Sequence, residues 1–167
     1  MPLIPYHAGG EAASFWPPSQ HLADYNIALA MHFGFGIAAC YRGPALYDDP
    51  LSQALVARWT AFFQQHRDIL TSDVIHIQRA DGQRIDGFLH ANPTTPERAL
   101  AMFFNPTDTA LSATMPLPLY YAGVAAGDQV HVAHESQAPV LLTANARSRV
   151  MVNMTIPPNN VTWFLVQ

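Results

Sequence analysis

The sequence contains no lysine, a single cysteine and few charges of either sign. All eight basic residues are arginines, which removes Schiff-base catalysis, a phosphate-loop lysine and a Ser-Lys dyad together. One cysteine excludes a disulfide-dense secreted scaffold. Cys40 lies in an apolar run, where an inert buried thiol is a better reading than a reactive nucleophile. Charged residues make up 12% of the chain, against about 25% in an ordinary soluble domain. So weakly charged a surface favours self-association, and a homodimer or larger homo-oligomer is expected. The formal charge of −4 comes without any basic cluster, which argues against nucleic acid and an anionic membrane surface as partners without excluding a small-molecule substrate. No apolar run is long enough to cross a bilayer, and no basic segment followed by an apolar core opens the chain, so a cytoplasmic location is the default expectation.

What is present divides into two patterns. Pro2 to His7 is an apolar extended segment, kept out of helix by Pro2 and Pro5. A loop rich in glycine and proline follows to Gln20, and Ser19 is placed to cap a helix in which Leu22, Tyr25, Leu29 and Phe33 recur at helical spacing. Gly34 and Gly36 mark its end. Ile37 to Tyr41 suits a short buried strand, and Arg42 interrupts it, a charge that must reach solvent, a carboxylate or a ligand. Asp49 as N-cap and Pro50 at the first position open a second helix running to about Leu70, with Leu51, Leu55, Trp59, Phe62 and Ile69 on one face.

From Thr71 the period falls to two. Eight segments read as strands: 74–79, 85–91, 99–105, 112–119, 129–135, 140–143, 149–156 and 161–166, separated by turn residues such as Asp81-Gly82, Gly127-Asp128 and Asn105-Pro106-Thr107-Asp108. The fold class expected is α+β and mostly β. A pair of β/α units over residues 1–70 precedes an antiparallel eight-stranded β-sandwich over residues 71–167.

Candidate chemistry is sparse. His131 and His134 stand three apart, which puts them on opposite faces of a strand, and Glu135 shares the face of His131 if that strand is regular. HExxH, CxxC and GxSxG are all absent. Asp73, Asp81, Asp86, Asp108 and Asp128 lie in or beside turns, where they serve either as local hydrogen-bonding groups or, converging, as calcium ligands. Phe15, Trp16, Tyr41, Tyr47, Tyr120 and Tyr121 sit in loops or at strand ends, where an aromatic face either packs a loop or stacks on a ligand ring, while Trp59 and Trp163 read as core.

The segments PYHAGG, ACYRGPALYDDP, HRDILTSDVIHIQRADGQ, IDGFLHANP, MFFNPTD and PLPLYYAG together resemble the C-terminal end of large bacterial proteins of the α-galactosidase-like glycoside hydrolase type, in which a catalytic β/α barrel is followed by a β-sandwich. The resemblance implies that Pro2–His7 and Ile37–Tyr41 are the last two barrel strands, that 50–70 is the closing helix and that 71–167 is the sandwich. His7, Glu11, Tyr41 and Arg42 would then share the catalytic rim at the C-terminal ends of the strands. It further implies Glu11, His7 and Arg42 as catalytic candidates, while the loop aromatics Trp16, Tyr41 and Tyr47, by their setting alone, are the candidates to stack on substrate. Glycoside hydrolysis needs two carboxyl groups, and Asp48 or Asp49 would have to supply the second. Three readings stay open: a glycosidase-like fragment acting on or binding a glycan, a non-catalytic carbohydrate-binding or structural sandwich, and a small ester or lactone hydrolase with calcium as a possible aid.

Overall fold

The computed structural model describes residues 15–37 and 44–167. The expected strand at Pro2–His7 lies outside them, as do His7, Glu11, Tyr41 and Arg42. Of the strand expected at 37–41 only Ile37 is described, and it occupies a bend. The chain divides into two compact units, Met1–Arg67 and Asp68–Gln167.

In the first unit a 3-10 turn at Pro18–Gln20 leads into helix α1, Leu22–Gly34. Ser19 does not cap that helix. It lies within the 3-10 turn, His21 takes the N-cap position without a side-chain bond, and the Ser19 hydroxyl goes instead to Asp48. Gly34 is the last helical residue, and Gly36, at φ 72°, makes the left-handed turn beyond it. Helix α2, Pro50–Gln65, begins as its sequence predicts: the Asp49 carboxylate accepts from Ser52 N–H at 2.7 Å, and the Ser52 hydroxyl receives Asp49 N–H at 3.2 Å. This reciprocal pair satisfies two otherwise orphaned donors of the first turn.

Helix α2 does not run to Leu70. It stops at His66, whose buried ring packs on Phe62 at 5.1 Å, and a separate short helix, α3 (Arg67–Leu70), buries Ile69 and Leu70. Leu51, expected on the apolar stripe, is exposed, whereas Trp59 is buried. The Trp59 indole N–H donates to Asn26 Oδ1 at 2.8 Å, and Phe33 meets Phe63 at 5.5 Å, so α1 and α2 are joined by both a polar and an aromatic contact.

The second unit is built from strands β1 (Asp73–Gln78), β2 (Asp86–Ala91), β3 (Ala99–Asn105), β4 (Leu111–Pro118), β5 (Gln129–His134), β6 (Val140–Thr143), β7 (Arg149–Ile156) and β8 (Asn160–Val166). Six form one antiparallel sheet in the order β1-β2-β3-β8-β5-β6, and β4 pairs with β7 in a second. Between the sheets lies a core that includes Leu89, Phe103, Leu117, Val132, Val152 and Phe164. Strand β7 shows why the two sheets face each other: Val150, Val152, Met154 and Ile156 are buried, while Arg149, Met151, Asn153 and Thr155 alternate outward. Strand β3, ALAMFFN, is buried at every position and therefore on both faces. Trp163, read as core, is half-buried.

One carboxyl group in this unit couples stability to pH. Burial, with a smaller contribution from the neighbouring negative charge of Asp81, pushes Asp86 up to about 6 from 3.8. Because the folded value lies above the unfolded one, the stabilisation linked to the protonated group is complete below pH 3.8 and is lost as pH rises through about 6. The Asp86→Asn variant is expected to match the parent at pH 4 and to exceed it at pH 8 by about 1 kcal/mol, a value discounted for partial exposure. Urea midpoints at the two pH values measure the difference, and a variant equally altered at both would contradict the linkage.

Candidate functional site

Of the six residues expected at a site, the described structure contains Trp16 and Tyr47. Both are exposed, on segments tied to one another. Asp48 accepts from the Ser19 backbone N–H at 2.9 Å and from the Ser19 hydroxyl, and the Tyr25 hydroxyl donates to Leu46 O at 3.0 Å. Phe15 packs on Tyr25 at 5.6 Å. Two loops carrying exposed aromatic rings are thus pinned at their bases.

The same region engages both Asp48 and Asp49 in local hydrogen bonds. Hydrogen bonds from Ser19, and further ones from Ser52, hold the Asp48 carboxyl below its ordinary value. Asp49 is committed to the cap of α2. Both carboxylates thus have local structural partners at the start of α2.

The sandwich exposes a second aromatic pair. Tyr120 and Tyr121, 70% and 63% exposed, meet edge to face at 5.4 Å on a 3-10 turn, Tyr120–Ala122. That turn is anchored from below. Leu119, Ala122 and Val124 are buried, and Arg98 donates to the carbonyls of Ala122 and Gly123. Gly123 has φ 71°, and a Cβ there would stand 2.9 Å from Pro93 Cβ. Two large rings held outward on a rigid support are unlike aromatic residues that pack a loop onto its body.

A third group was not legible as a unit. His131 and His134 do fall on opposite faces, with His131 exposed and His134 half-buried. Glu135, however, does not share the face of His131, because the strand ends there and Glu135 adopts φ 52°. Its carboxylate instead accepts from the Thr162 hydroxyl at 2.9 Å, and that same hydroxyl lies 2.7 Å from His134 Nε2. The connection depends on the register of β5 against β8, in which His134 faces Phe164. A correct pairing of those two strands was the one signal that would have revealed it.

Calcium finds no assembled ligand set, since no group of three or more His, Cys, Asp or Glu residues converges among the described residues. Asp81 accepts from the backbone N–H groups of Gln83 and Arg84 and from the Arg84 side chain, which brings its carboxyl down to about 2. Asp128 accepts from Ala125 N–H at 2.8 Å. These are the local turn bonds that aspartate forms readily.

No protein-family model matches the sequence, and no curated protein does. Solved structures match at the level of fold. The GH27 β-L-arabinopyranosidase of Geobacillus stearothermophilus aligns at 9% identity and a TM-score of 0.57, covering 87% of this chain and 30% of its own. The α-galactosidase I of Mortierella vinacea aligns at 9% identity and a TM-score of 0.60, covering 87% and 35%. The debranching enzyme of Nostoc punctiforme aligns at 13% identity and a TM-score of 0.56, covering 92% and 33%. The chain therefore spans about a third of the length of these structures. Its antiparallel region is similar in fold to the C-terminal β-sandwich-like part of GH27 enzymes.

Proposed function

We propose that this chain is the glycan-binding end of a glycosidase-like protein, the last two β/α units of a barrel followed by its sandwich, and that Tyr120 and Tyr121 form a platform for a sugar ring. The observation that carries the reading is the fold likeness. It covers 87% of the chain, more than the Asp68–Gln167 unit alone supplies, so it reaches into the helical unit. Arabinopyranosidase and galactosidase are sugar-directed activities by their names, and exposed aromatic rings suit the apolar face of a pyranose. Binding is preferred to turnover because hydrolysis needs a second carboxyl group beside Glu11, and Asp48 and Asp49 already have structural roles, one bonded to Ser19 and one capping α2.

Affinity electrophoresis through neutral polysaccharides tests this reading. The protein is expected to be retarded, and the double variant Tyr120→Ala, Tyr121→Ala to lose affinity by roughly tenfold or more, at about 1 kcal/mol for each ring. Its melting temperature should hold, since both rings are exposed. Migration unaffected by every polysaccharide would sink the proposal. A parallel panel of nitrophenyl glycosides, esters and lactones decides the enzymatic alternatives: turnover abolished by Glu11→Gln or His7→Ala would replace the binding reading with a catalytic one.

A further inference from the structure

We propose that the cleft beside His134 binds an uncharged, hydroxyl-bearing sugar ring, held by a paired acceptor and donor, His134 Nδ1 and the Asn153 side-chain amide. The inference rests on the glycan reading and adds to it a position on the sandwich built from different residues.

Two clefts meet at this point. One, of about 490 Å³, presents the hydroxyls of Ser112, Thr114 and Thr155. The other, of about 250 Å³, is walled by Val140, Leu142, Met151 and Phe164. His134 and Asn153 line both. Among the described residues neither lining contains Asp, Glu, Lys or Arg, so a charged ligand would lose its hydration without gaining a counter-ion. An uncharged ring with one apolar face and several hydroxyls suits a polar cleft joined to an apolar one.

The polarity of the pair follows from the hydrogen bonds. Thr162 has a single hydroxyl proton and gives it to Glu135 Oε1, so its oxygen must accept from His134 Nε2. The proton on Nε2 is thereby fixed, and in the neutral form of the ring Nδ1 is left as an acceptor, to which no protein group bonds among the described residues. Phe164 stacks on the ring at 4.5 Å and 11°, which sets its plane. On β7, Thr114 Oγ1 donates to Asn153 Oδ1 at 2.6 Å, leaving the amide hydrogens to donate. A sugar hydroxyl both donates and accepts, which suits a cleft lined by both an acceptor and a donor.

The backbone holds the His134, Thr162 and Glu135 group in place. Glu135 holds φ 52° with its N–H bonded to Trp163 O at 3.0 Å, a conformation that is uncommon for a non-glycine residue. In a regular strand, neighbouring side chains diverge to opposite faces. The left-handed residue instead brings the Glu135 carboxylate and the His134 ring to the same threonine, and such imposed geometry concentrates at functional positions.

The test uses side-chain ¹⁵N NMR on the full chain, titrated with neutral oligosaccharides of galactose, mannose and glucose. The free protein is expected to report the Nε2–H tautomer at His134, and a bound oligosaccharide to move the His134 Nδ1 and Asn153 amide signals. Asn153→Ala should weaken binding roughly tenfold. Thr162→Val, checked for an unchanged fold by its melting curve, should erase the tautomer preference and weaken binding as well. If no oligosaccharide moves these signals while Tyr120-dependent polysaccharide retention persists, the cleft proposal is overturned and the platform stands. Signals that move in a protein showing no polysaccharide retention would support the cleft and overturn the platform.

Discussion

Gly87→Ala is expected to lower the stability of the sandwich by about 3 kcal/mol, seen as a fall in the urea midpoint or a loss of roughly 10 °C in Tm. Gly87 lies in β2 directly opposite Phe103 of β3. A Cβ built there would stand 2.5 Å from Phe103 Cδ1 and 2.6 Å from the Met102 carbonyl oxygen. Neither neighbour has room to yield. The carbonyl belongs to a strand buried on every residue, and the Phe103 ring is itself fully buried, edge-on to Phe164 at 6.1 Å. The control is Gly82→Ala in the β1–β2 turn, where nothing lies within 4 Å and only φ +74° opposes the methyl group, a cost of about 1 kcal/mol. Equal losses at the two positions would show that backbone freedom, and not the close approach, is what Gly87 supplies.

Asn105→Leu is expected to cost a similar amount, about 3 kcal/mol, through unmade hydrogen bonds. Asn105 closes β3 at 1% exposure. Its amide nitrogen lies 2.7 Å from Thr109 O, 3.0 Å from Ile156 O and 2.9 Å from Pro157 O, two hydrogens shared among three carbonyls. Its carbonyl oxygen receives Thr107 N–H at 2.9 Å and the Thr107 hydroxyl at 2.8 Å. One side chain thus binds the β3–β4 loop to the turn after β7, and leucine fills the volume while removing these bonds, leaving the Thr107 hydroxyl and Thr109 O their 3.0 Å bond to each other. A melting temperature within 2 °C of the parent, set against the expected drop of roughly 10 °C, would refute that role.

Asn105 and Gly87 also show where the sequence was readable. The turn signal Asn-Pro-Thr-Asp placed the end of β3, and period two with turn residues placed the strands of the second unit, because each of those signals is local. The cap of α2 was legible for the same reason: Asp49, Pro50 and Ser52 are neighbours that bond one another. Ser19 misled because its partner, Asp48, lies 29 residues away. The single helix expected to Leu70 misled because the apolar stripe continues across a backbone that turns at His66. The His134, Thr162 and Glu135 group was hidden twice over. It needs the pairing of two strands distant in sequence, and it needs a left-handed glutamate that no alternation pattern announces. The rim residues His7, Glu11, Tyr41 and Arg42 lie outside the described residues.

The small sheet has a consequence for how copies of this chain can meet. Strand β4 contains Pro116 and Pro118, which pair with Met151 and Arg149 of β7. Residues two apart on an antiparallel strand direct their backbone groups to the same side, so the edge of β4 away from β7 lacks two successive N–H donors. A further strand docking along that edge would find carbonyls without the alternating donors that lock a ladder. The β6 edge of the large sheet, by contrast, carries no proline and exposes Val140 and Leu141. The end of the β4 margin that carries Pro116 and Pro118 is thus denied to strand addition by its own covalent chemistry.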